Sequence, residues 1–273
     1  MQSKVPNILY GTAWKKERTA ELTYEALKSG FQGIDCANQP KHYNEAGAGK
    51  GFQDFVKETG KPREAYFIQT KFTPPHGQGE RLPYDSNAPI SEQVRKSFEN
   101  SLEHWGTQYI DSLLLHAPYH PRGLTNQDWE VWRTFEALHR EKKVHCLGVS
   151  NVTAAHLAAL YDEAEVKPSF VQNRCFATKK WDREVRELCQ TKGIQYQGFS
   201  LLTANLSYIE SEPVREIARR FGKTIPQIVL RFSQQLNMLP LTGTTDTQHM
   251  HDDLTLDEFS LSEDDIRTIE SIA

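Results

Sequence analysis

The sequence lacks the features that mark several specialised classes of protein. Its 273 residues carry a formal net charge of -4, and its lysines and arginines form no basic run or stripe. No apolar run approaches the roughly 18 residues that a membrane-spanning helix needs. The chain therefore offers no electrostatic footprint for nucleic acid or for an anionic membrane surface, and we expect neither as a partner.

The four cysteines show no CxxC pair and are scattered along the chain, at Cys36, Cys146, Cys175 and Cys189. Most lie inside apolar runs or on helical faces, which is typical of small buried thiols. We therefore expect no metal site and no disulfide. The amino terminus also lacks the apolar stretch of a secretory signal, so we expect a cytoplasmic protein.

The chain instead alternates short apolar runs with helical patterns. Eight strands are predicted, at residues 8–12, 33–37, 66–72, 110–116, 144–150, 170–174, 194–199 and 238–241. Gly30, Gly106 and Gly222 are predicted to end three of the intervening helices. Dividing the 273 residues by eight gives about 34 per unit, the size of one strand–helix step. The pattern predicts an α/β protein with a (β/α)₈ TIM barrel, and no linker divides residues 1–273 into further domains.

The alternative fold is a doubly wound open sheet, which carries a glycine-rich phosphate turn after an early strand. The only candidate for that turn is the segment Gly47-Ala-Gly-Lys-Gly51. It lies where a helix is predicted to begin, so we give the phosphate-binding interpretation little weight.

Polar side chains stand at the predicted strand ends, which converge on one face of a barrel. The polar residues at these ends are Asp35, Lys71, His116, Ser150, Asn151 and Gln172, and the one apolar residue there is Phe199. Taken alone, Asp35 could be a turn residue and His116 a structural hydrogen-bonding group. Taken together, a buried carboxylate needs a cation, and Lys71 on the neighbouring strand supplies one.

Tyr43 follows the same strand as Asp35 and can supply a proton. At an effective dielectric of about 20 and a separation of about 4 Å, one positive charge favours the phenolate by roughly 4 kcal/mol. We therefore expect Lys71 to lower the pKa of Tyr43, with the Tyr43 hydroxyl within hydrogen-bonding reach of Lys71 and near His116. Such a group can act as a general acid while His116 orients a carbonyl oxygen.

These motifs, in this order along nearly the whole chain, resemble the aldo-keto reductases. The matching segments are Gly-Ile-Asp35-Cys-Ala, Tyr43-Asn-Glu45, Lys71, Leu-Leu-Leu-His116-Ala-Pro, Gly148-Val-Ser150-Asn151, Val-Gln172-Asn and Gly243-Thr-Thr245. The resemblance implies a (β/α)₈ barrel in which Tyr43 donates the proton and Asp35 and Lys71 tune it. It also implies that His116 orients the substrate carbonyl.

The resemblance further implies a nicotinamide cofactor site. Ser150, Asn151 and Gln172 would hold the nicotinamide carboxamide, which needs paired donors and acceptors, and Phe199 would stack under the ring. The remaining cofactor residues implied are Thr12, Ser200, Leu202, Gly243, Thr244, Thr245, His249 and Asp253.

The sequence departs from the family pattern at two of these places. Seven residues separate Asp35 from Tyr43, where the family has about four, so either the Tyr43 loop bulges or Tyr43 approaches the site differently, and His42 adds a second possible acid. Gly243 stands where the family has a phosphate-binding lysine, and His249 stands where it has an arginine. We expect NADP(H) rather than NAD(H), although the loss of paired cations leaves the preference open.

The sequence also lacks a long segment after the last predicted helix, so we expect an open substrate pocket. Its predicted borders are Trp14, Phe72, Tyr119 and the loop at residues 73–89.

The leading hypothesis is an NAD(P)H-dependent enzyme that reduces an aldehyde or ketone to an alcohol. Its expected partner is a small-molecule carbonyl substrate, and we expect a monomer. One alternative is a cofactor-binding barrel with a redox-sensing or regulatory role and little turnover. The other is a Schiff-base lyase that uses Lys71, which Asp35 disfavours by keeping the lysine charged.

Overall fold

The computed structural model describes residues 5–273, and eight parallel strands in it close into a barrel in chain order. The strands are β1 (Leu9–Gly11), β2 (Gly33–Asp35), β3 (Phe67–Phe72), β4 (Ile110–Leu115), β5 (Val144–Ser150), β6 (Phe170–Arg174), β7 (Gln195–Phe199) and β8 (Met238–Thr242). The predicted (β/α)₈ barrel is confirmed, and each strand bound lies within two residues of its prediction. Residues 1–4, part of the amino terminus considered above, lie outside the described residues.

Eleven α-helices surround the strands in residues 5–273. They are α1 (Thr19–Ser29), α2 (Glu45–Thr59), α3 (Ile90–Trp105), α4 (Asn126–Arg140), α5 (Ala154–Glu163), α6 (Arg183–Lys192), α7 (Leu206–Ile209), α8 (Glu212–Phe221), α9 (Ile225–Gln235), α10 (Thr247–Asp253) and α11 (Glu263–Glu270). Gly30, Gly106 and Gly222 end α1, α3 and α8 with positive φ angles of 121°, 60° and 59°, as predicted. No helix in this part of the chain is long and apolar enough to cross a bilayer.

Side chains inside the barrel change from apolar to polar along the strands. Phe67, Gln69 and Lys71 on β3 share one side of the strand because side chains alternate with a period of two. Phe67 meets Phe170 with ring centroids 5.7 Å apart, in a cluster completed by Leu9 and Leu239. Barrel interiors are filled by such side-chain layers, so the apolar layer supports the polar residues at the carboxyl ends of the strands.

The glycines of α2 allow close helix packing. A Cβ atom added to Gly49 would lie 1.9 Å from the carbonyl oxygen of His104 at the end of α3, and one added to Gly51 would lie 2.3 Å from that of Ala20 in α1. Both contacts are far shorter than van der Waals distances. The glycine-rich segment therefore lets α2 approach α1 and α3 closely, so these glycines serve helix packing.

Candidate active site

A cavity of about 570 Å³ opens at the carboxyl ends of the strands. It brings together fourteen of the residues predicted for the site, which line its wall: Trp14, Asp35, Tyr43, His116, Ser150, Asn151, Gln172, Phe199, Ser200, Leu202, Gly243, Thr244, His249 and Asp253. Most of the predicted site residues therefore surround one continuous space.

Two of the residues predicted to border the substrate pocket, and the predicted loop, do not line this cavity. Phe72 is 1% exposed and packs against the ring of Tyr84 at 5.5 Å, outside the cavity. Because Phe72 follows Lys71, its side chain points to the opposite side of β3, into the packing between strand and helix. Tyr119 instead contacts the ring of His76 at 5.4 Å. The loop at residues 73–89 folds onto itself through a hydrogen bond from the Tyr84 hydroxyl to the Thr73 carbonyl (2.5 Å) and does not line the cavity.

Three further predicted residues do not line the cavity. Thr12 is fully buried, and its Oγ1 donates to the backbone carbonyl of Asp35 at 2.9 Å. It therefore supports the end of β2 from below. Thr245 is exposed beyond the cavity wall. Lys71 lies beneath the wall, in contact with Asp35.

Lys71 and Asp35 form an ion pair with side chains 0% and 3% exposed. The Lys71 Nζ donates to Asp35 Oδ1 (2.7 Å), Asp35 Oδ2 (2.8 Å) and the carbonyl oxygen of Cys36 (2.8 Å). An ammonium has three hydrogens, so none remains for another acceptor. The expected hydrogen bond from Lys71 to the Tyr43 hydroxyl is absent from residues 5–273. The Nζ instead lies 5.5 Å from the centre of the Tyr43 ring.

Three buried amides surround Asp35 below the ion pair, and we call Gln69, Gln172 and Gln197 the glutamine layer. Gln69 Nε2 and Gln172 Nε2 donate to Asp35 Oδ1 at 2.7 and 2.9 Å, and both also donate to Gln197 Oε1. Gln197 Nε2 returns a bond to Gln69 Oε1 at 3.0 Å. Hydrogen bonds to a charged acceptor are the stronger kind, so the layer stabilises the buried carboxylate. The period-two alternation from Phe67 to Lys71 is the signal that could have revealed Gln69.

Tyr43 and His116 meet at the cavity wall, with ring centroids 5.9 Å apart in an edge-on arrangement. Burial raises the pKa of Tyr43 well above its usual range, and the negative charge of Asp35 adds to the effect. The expectation that Lys71 would lower this pKa is therefore wrong. The main physical reason is burial, and Asp35 also balances the charge of Lys71, so Tyr43 faces an ion pair rather than a free cation.

His116 is neutral at physiological pH. Burial lowers its pKa well below the usual value, and the charge of Lys71 lowers it further. Its Nδ1 lies 2.6 Å from Thr73 Oγ1. Where Thr73 donates in this bond, Nε2 carries the ring proton, and that nitrogen becomes the available donor.

The seven-residue spacer before Tyr43 forms a turn whose first four residues are buried. The backbone N–H groups of His42 and Tyr43 both donate to the carbonyl of Gln39, at 3.1 and 3.0 Å. Asn38 and Gln39 are only 2% and 6% exposed, and the Asn38 amide donates to the Ser97 carbonyl in α3. The expected bulge is thus packed against the barrel and directs Tyr43 into the cavity.

Glu45, two residues after Tyr43, anchors the first turn of α2. Its carboxylate accepts hydrogen bonds from Thr70 on β3 and, in α3, from Ser101 (2.9 Å) and Trp105 (3.3 Å). His104 Nδ1 also lies 2.9 Å from it. Sequence analysis did not identify this role, because it depends on three elements that meet only in the folded chain.

The residues predicted to hold the carboxamide present acceptors. Asn151 Nδ2 donates to the His116 carbonyl (2.8 Å) and to Ser150 Oγ (3.1 Å), while Ser150 Oγ donates to the Gln172 carbonyl (2.7 Å). Both hydrogens of Gln172 Nε2 are used in the glutamine layer. The amide oxygens of Asn151 and Gln172 are what these side chains offer, and their assignment to the carboxamide stays a prediction.

Acidic and metal-binding groups at the cavity are few. Asp253 accepts a hydrogen bond from Thr242 Oγ1 at 2.6 Å, and burial raises the pKa of Asp253 to about 6. Among residues 5–273, no group of three or more His, Cys, Asp or Glu side chains could hold a metal ion. All four cysteines are free thiols.

Comparisons with known proteins agree with this geometry. The model of the Aldo/keto reductase family matches residues 7–273. The chain is 29% identical over 252 residues to the glyoxal reductase of Bacillus subtilis, a match that covers 92% of this chain and 82% of that protein. It is 29% identical over 301 residues to the NAD(P)H-dependent D-xylose reductase of Pachysolen tannophilus, covering 97% and 89% of the two chains.

A solved structure gives the same result. The crystal structure of an aldo-keto reductase from a Medee basin deep-sea metagenome library superposes with a TM-score of 0.84 at 25% identity, covering 98% of this chain and 92% of that chain. The resemblance drawn from the sequence motifs is therefore confirmed by the family match, by the relatives and by the fold. The chain belongs to the aldo/keto reductase family and is an oxidoreductase of the kind that reduces carbonyl compounds.

Proposed function

We propose that the protein reduces an aldehyde or ketone to an alcohol, with a hydride from NADPH and a proton from Tyr43. The observation that carries the proposal is the meeting of Tyr43 and His116 at the cavity wall, above the buried pair of Asp35 and Lys71. A protonated phenol and a neutral imidazole can share one carbonyl oxygen between them. That arrangement suits the reduction of a carbonyl group.

The residues present fit a nicotinamide cofactor. When bound, the nicotinamide supplies the hydride. The free oxygens of Asn151 and Gln172 match the NH₂ of its carboxamide, since both side chains have used their own hydrogens elsewhere. Phe199 offers an aromatic face, with the Arg174 guanidinium 5.5 Å from its ring centre.

Tyr43 holds its proton until an oxyanion develops. Burial keeps the phenol protonated, and an alkoxide is a much stronger base than a phenolate, so proton transfer to the developing alkoxide is favourable. His116, fixed through Thr73, can donate from Nε2 to the same oxygen. The ammonium of Lys71, 5.5 Å from the ring centre, then offsets the charge of Asp35 beside the phenolate that remains.

Replacing Tyr43 by Phe tests the proposal. We expect kcat/KM for aldehyde reduction to fall by roughly 10²- to 10⁴-fold, the range of a lost general acid. The dissociation constant of NADPH should stay unchanged, because the ring remains. Glyoxal, D-xylose and an aromatic aldehyde would form a suitable first panel of substrates.

Tyr109→Phe provides a matched control, because Tyr109 stacks on His145 at the opposite end of the barrel. Undiminished turnover in Tyr43→Phe would contradict the role of Tyr43. A wild-type protein that binds NADPH but turns over no carbonyl compound would favour the regulatory alternative. The lyase alternative has less support, because Lys71 does not line the cavity and all its hydrogens are engaged.

A further inference from the structure

Two side-chain amides join the loop that follows β3 to the spacer before Tyr43. Gln78 Nε2 in the loop donates to the backbone carbonyl of Asn38 at 3.0 Å, and Gln39 Nε2 in the spacer donates to that of Gly77 at 2.6 Å. Each segment thus supplies one donor to the backbone of the other. We call this pair of hydrogen bonds the amide clasp.

The amide clasp is shielded from water. Gln78 is 7% exposed, and Asn38 and Gln39 are buried with it. The Oε1 atoms of both glutamines are buried and have no hydrogen-bond partner in the part of the chain that the structure describes. These amides therefore act here through their N–H groups. A buried carbonyl left without its donor is costly, so each bond favours contact between the two segments.

The amide clasp leads on each side to one of the two groups that meet at the cavity wall. Gln78 Nε2 also donates to the Thr73 carbonyl at 3.2 Å, and Thr73 Oγ1 lies 2.6 Å from His116 Nδ1. On the spacer side, the Gln39 carbonyl accepts from the backbone N–H of Tyr43 at 3.0 Å. Tyr43 and His116 are therefore linked through the two glutamines by hydrogen bonds and short backbone segments.

We propose that Gln78 is a positioning residue that holds Tyr43 and His116 at the separation at which both reach one carbonyl oxygen, an inference that rests on the proposed function. The seven-residue spacer before Tyr43 is longer than in the family pattern, so chain connectivity alone restricts the position of this residue less. The amide clasp removes that freedom. Placement matters for the rate, since a displacement of about 1 Å can lower it by about 100-fold.

Steady-state kinetics of Gln78→Met test this role. Methionine is also an unbranched side chain, but it carries no N–H donor. We expect kcat for aldehyde reduction to fall by roughly 10- to 100-fold, with the KM for the aldehyde and the Kd for NADPH changed by less than about twofold. Gln39→Met removes the other bond of the amide clasp and should give the same pattern, so either variant suffices where the other fails to fold.

Gln93→Met is a matched control. Gln93 is 4% exposed, its Nε2 donates to the carbonyls of Ser86 and Ala88 at 3.2 and 2.8 Å, and its Oε1 is also buried without a partner among residues 5–273. Both variants lose two buried hydrogen bonds of the same kind, and circular dichroism would check that each is folded. We expect Gln93→Met to keep kcat within about twofold of wild type. A loss of kcat equal to that in Gln78→Met would overturn the assignment, because loosening the loop elsewhere would then suffice.

The double variant Tyr43→Phe/Gln78→Met distinguishes positioning from general damage. Without the Tyr43 hydroxyl the separation no longer matters, so we expect its kcat to lie within about twofold of that of Tyr43→Phe. A further loss of roughly tenfold would overturn the assignment. Unchanged kcat in Gln78→Met would overturn it too. Wild-type protein that reduces no carbonyl compound would instead defeat the proposed function, and this assignment with it.

Discussion

Replacing Lys71 by Met removes one partner of the buried ion pair. The Asp35 side chain is 3% exposed, so its carboxylate cannot turn to water for new hydrogen bonds. It keeps the two amides of the glutamine layer on Oδ1 but loses both donors from Lys71, including the one on Oδ2. Breaking such a pair from one side costs about 3–5 kcal/mol of unfolding free energy, and we expect Lys71→Met to lose that amount.

The double variant Asp35→Asn/Lys71→Met removes both charges of the pair. It therefore distinguishes the cost of an unpaired buried charge from the cost of altered packing. Neither side chain then leaves a charge buried alone, so we expect it to be at least about 2 kcal/mol more stable than Lys71→Met. The double variant should regain stability without regaining activity. At 5.5 Å and an effective dielectric of about 20, the ammonium favours a phenolate by at most about 3 kcal/mol, and Asp35 offsets part of this. We therefore expect kcat to fall by about 10- to 100-fold in the double variant.

Urea unfolding, followed by circular dichroism and by fluorescence, would measure the free energies, with coincident transitions as the test of two-state behaviour. Titration with NADPH would show that each variant retains the cavity, because Lys71 lies beneath the wall. A Lys71→Met protein as stable as the double variant would refute the reasoning about the buried carboxylate. A double variant with full activity would refute the link from the ion pair to Tyr43.

Two further predictions concern packing and pH. Gly49→Ala should lower the unfolding free energy by at least about 2 kcal/mol, because the new Cβ would lie 1.9 Å from a backbone carbonyl oxygen. The control Gly123→Ala has open space around its Cβ and should change the unfolding free energy by less than about 0.5 kcal/mol in the same urea assay. Burial raises the pKa of Tyr119 to about 12 and that of Tyr196 well above its usual range. Unfolded tyrosines ionise near pH 10 while these keep their protons, so the contribution of these two tyrosines to stability should be constant below about pH 10 and fall as the pH rises through 12. Unfolding free energies measured between pH 9 and 12 alongside phenolate absorbance would check this, and a flat profile would contradict it.

The strands could be predicted closely because each is a short apolar run bounded by polar residues or glycine. Val144–Ser150 and Phe170–Arg174 match their predicted bounds. The helix Thr247–Asp253 was not predicted, since its polar sequence shows no helical periodicity. Its start is fixed by a side-chain cap from Asp246, and its inner face is fixed by Met250, which is fully buried.

Site residues at strand ends were predictable because parallel strands present their carboxyl ends at one edge. Phe72 was misplaced although the sequence held the correction: a strand that turns Lys71 inward must turn the next residue outward. Glu45 could not be found in this way. Its hydrogen-bond partners lie on β3 and α3, which meet the start of α2 only in the folded chain.

The pKa of Tyr43 was predicted in the wrong direction for a reason that sequence alone could not reveal. A lysine considered singly acts as a free cation. In the folded chain Lys71 is matched at 2.7 Å by Asp35, whose charge also acts on the phenol, and burial outweighs both. Sequence indicates which charges are near each other, whereas their net field depends on distances and on the water that folding removes.

All three hydrogens of the Lys71 ammonium are engaged, and this bears on how Tyr43 regains its proton in the proposed enzyme. After each turnover Tyr43 needs a new proton, and no hydrogen-bonded chain reaches its hydroxyl from the barrel interior in residues 5–273. Tyr43 lines the cavity, so in the proposed enzyme solvent at the mouth of the cavity is the natural source of that proton. The same opening would admit substrate and release the alcohol, so reprotonation and product exchange would share one passage.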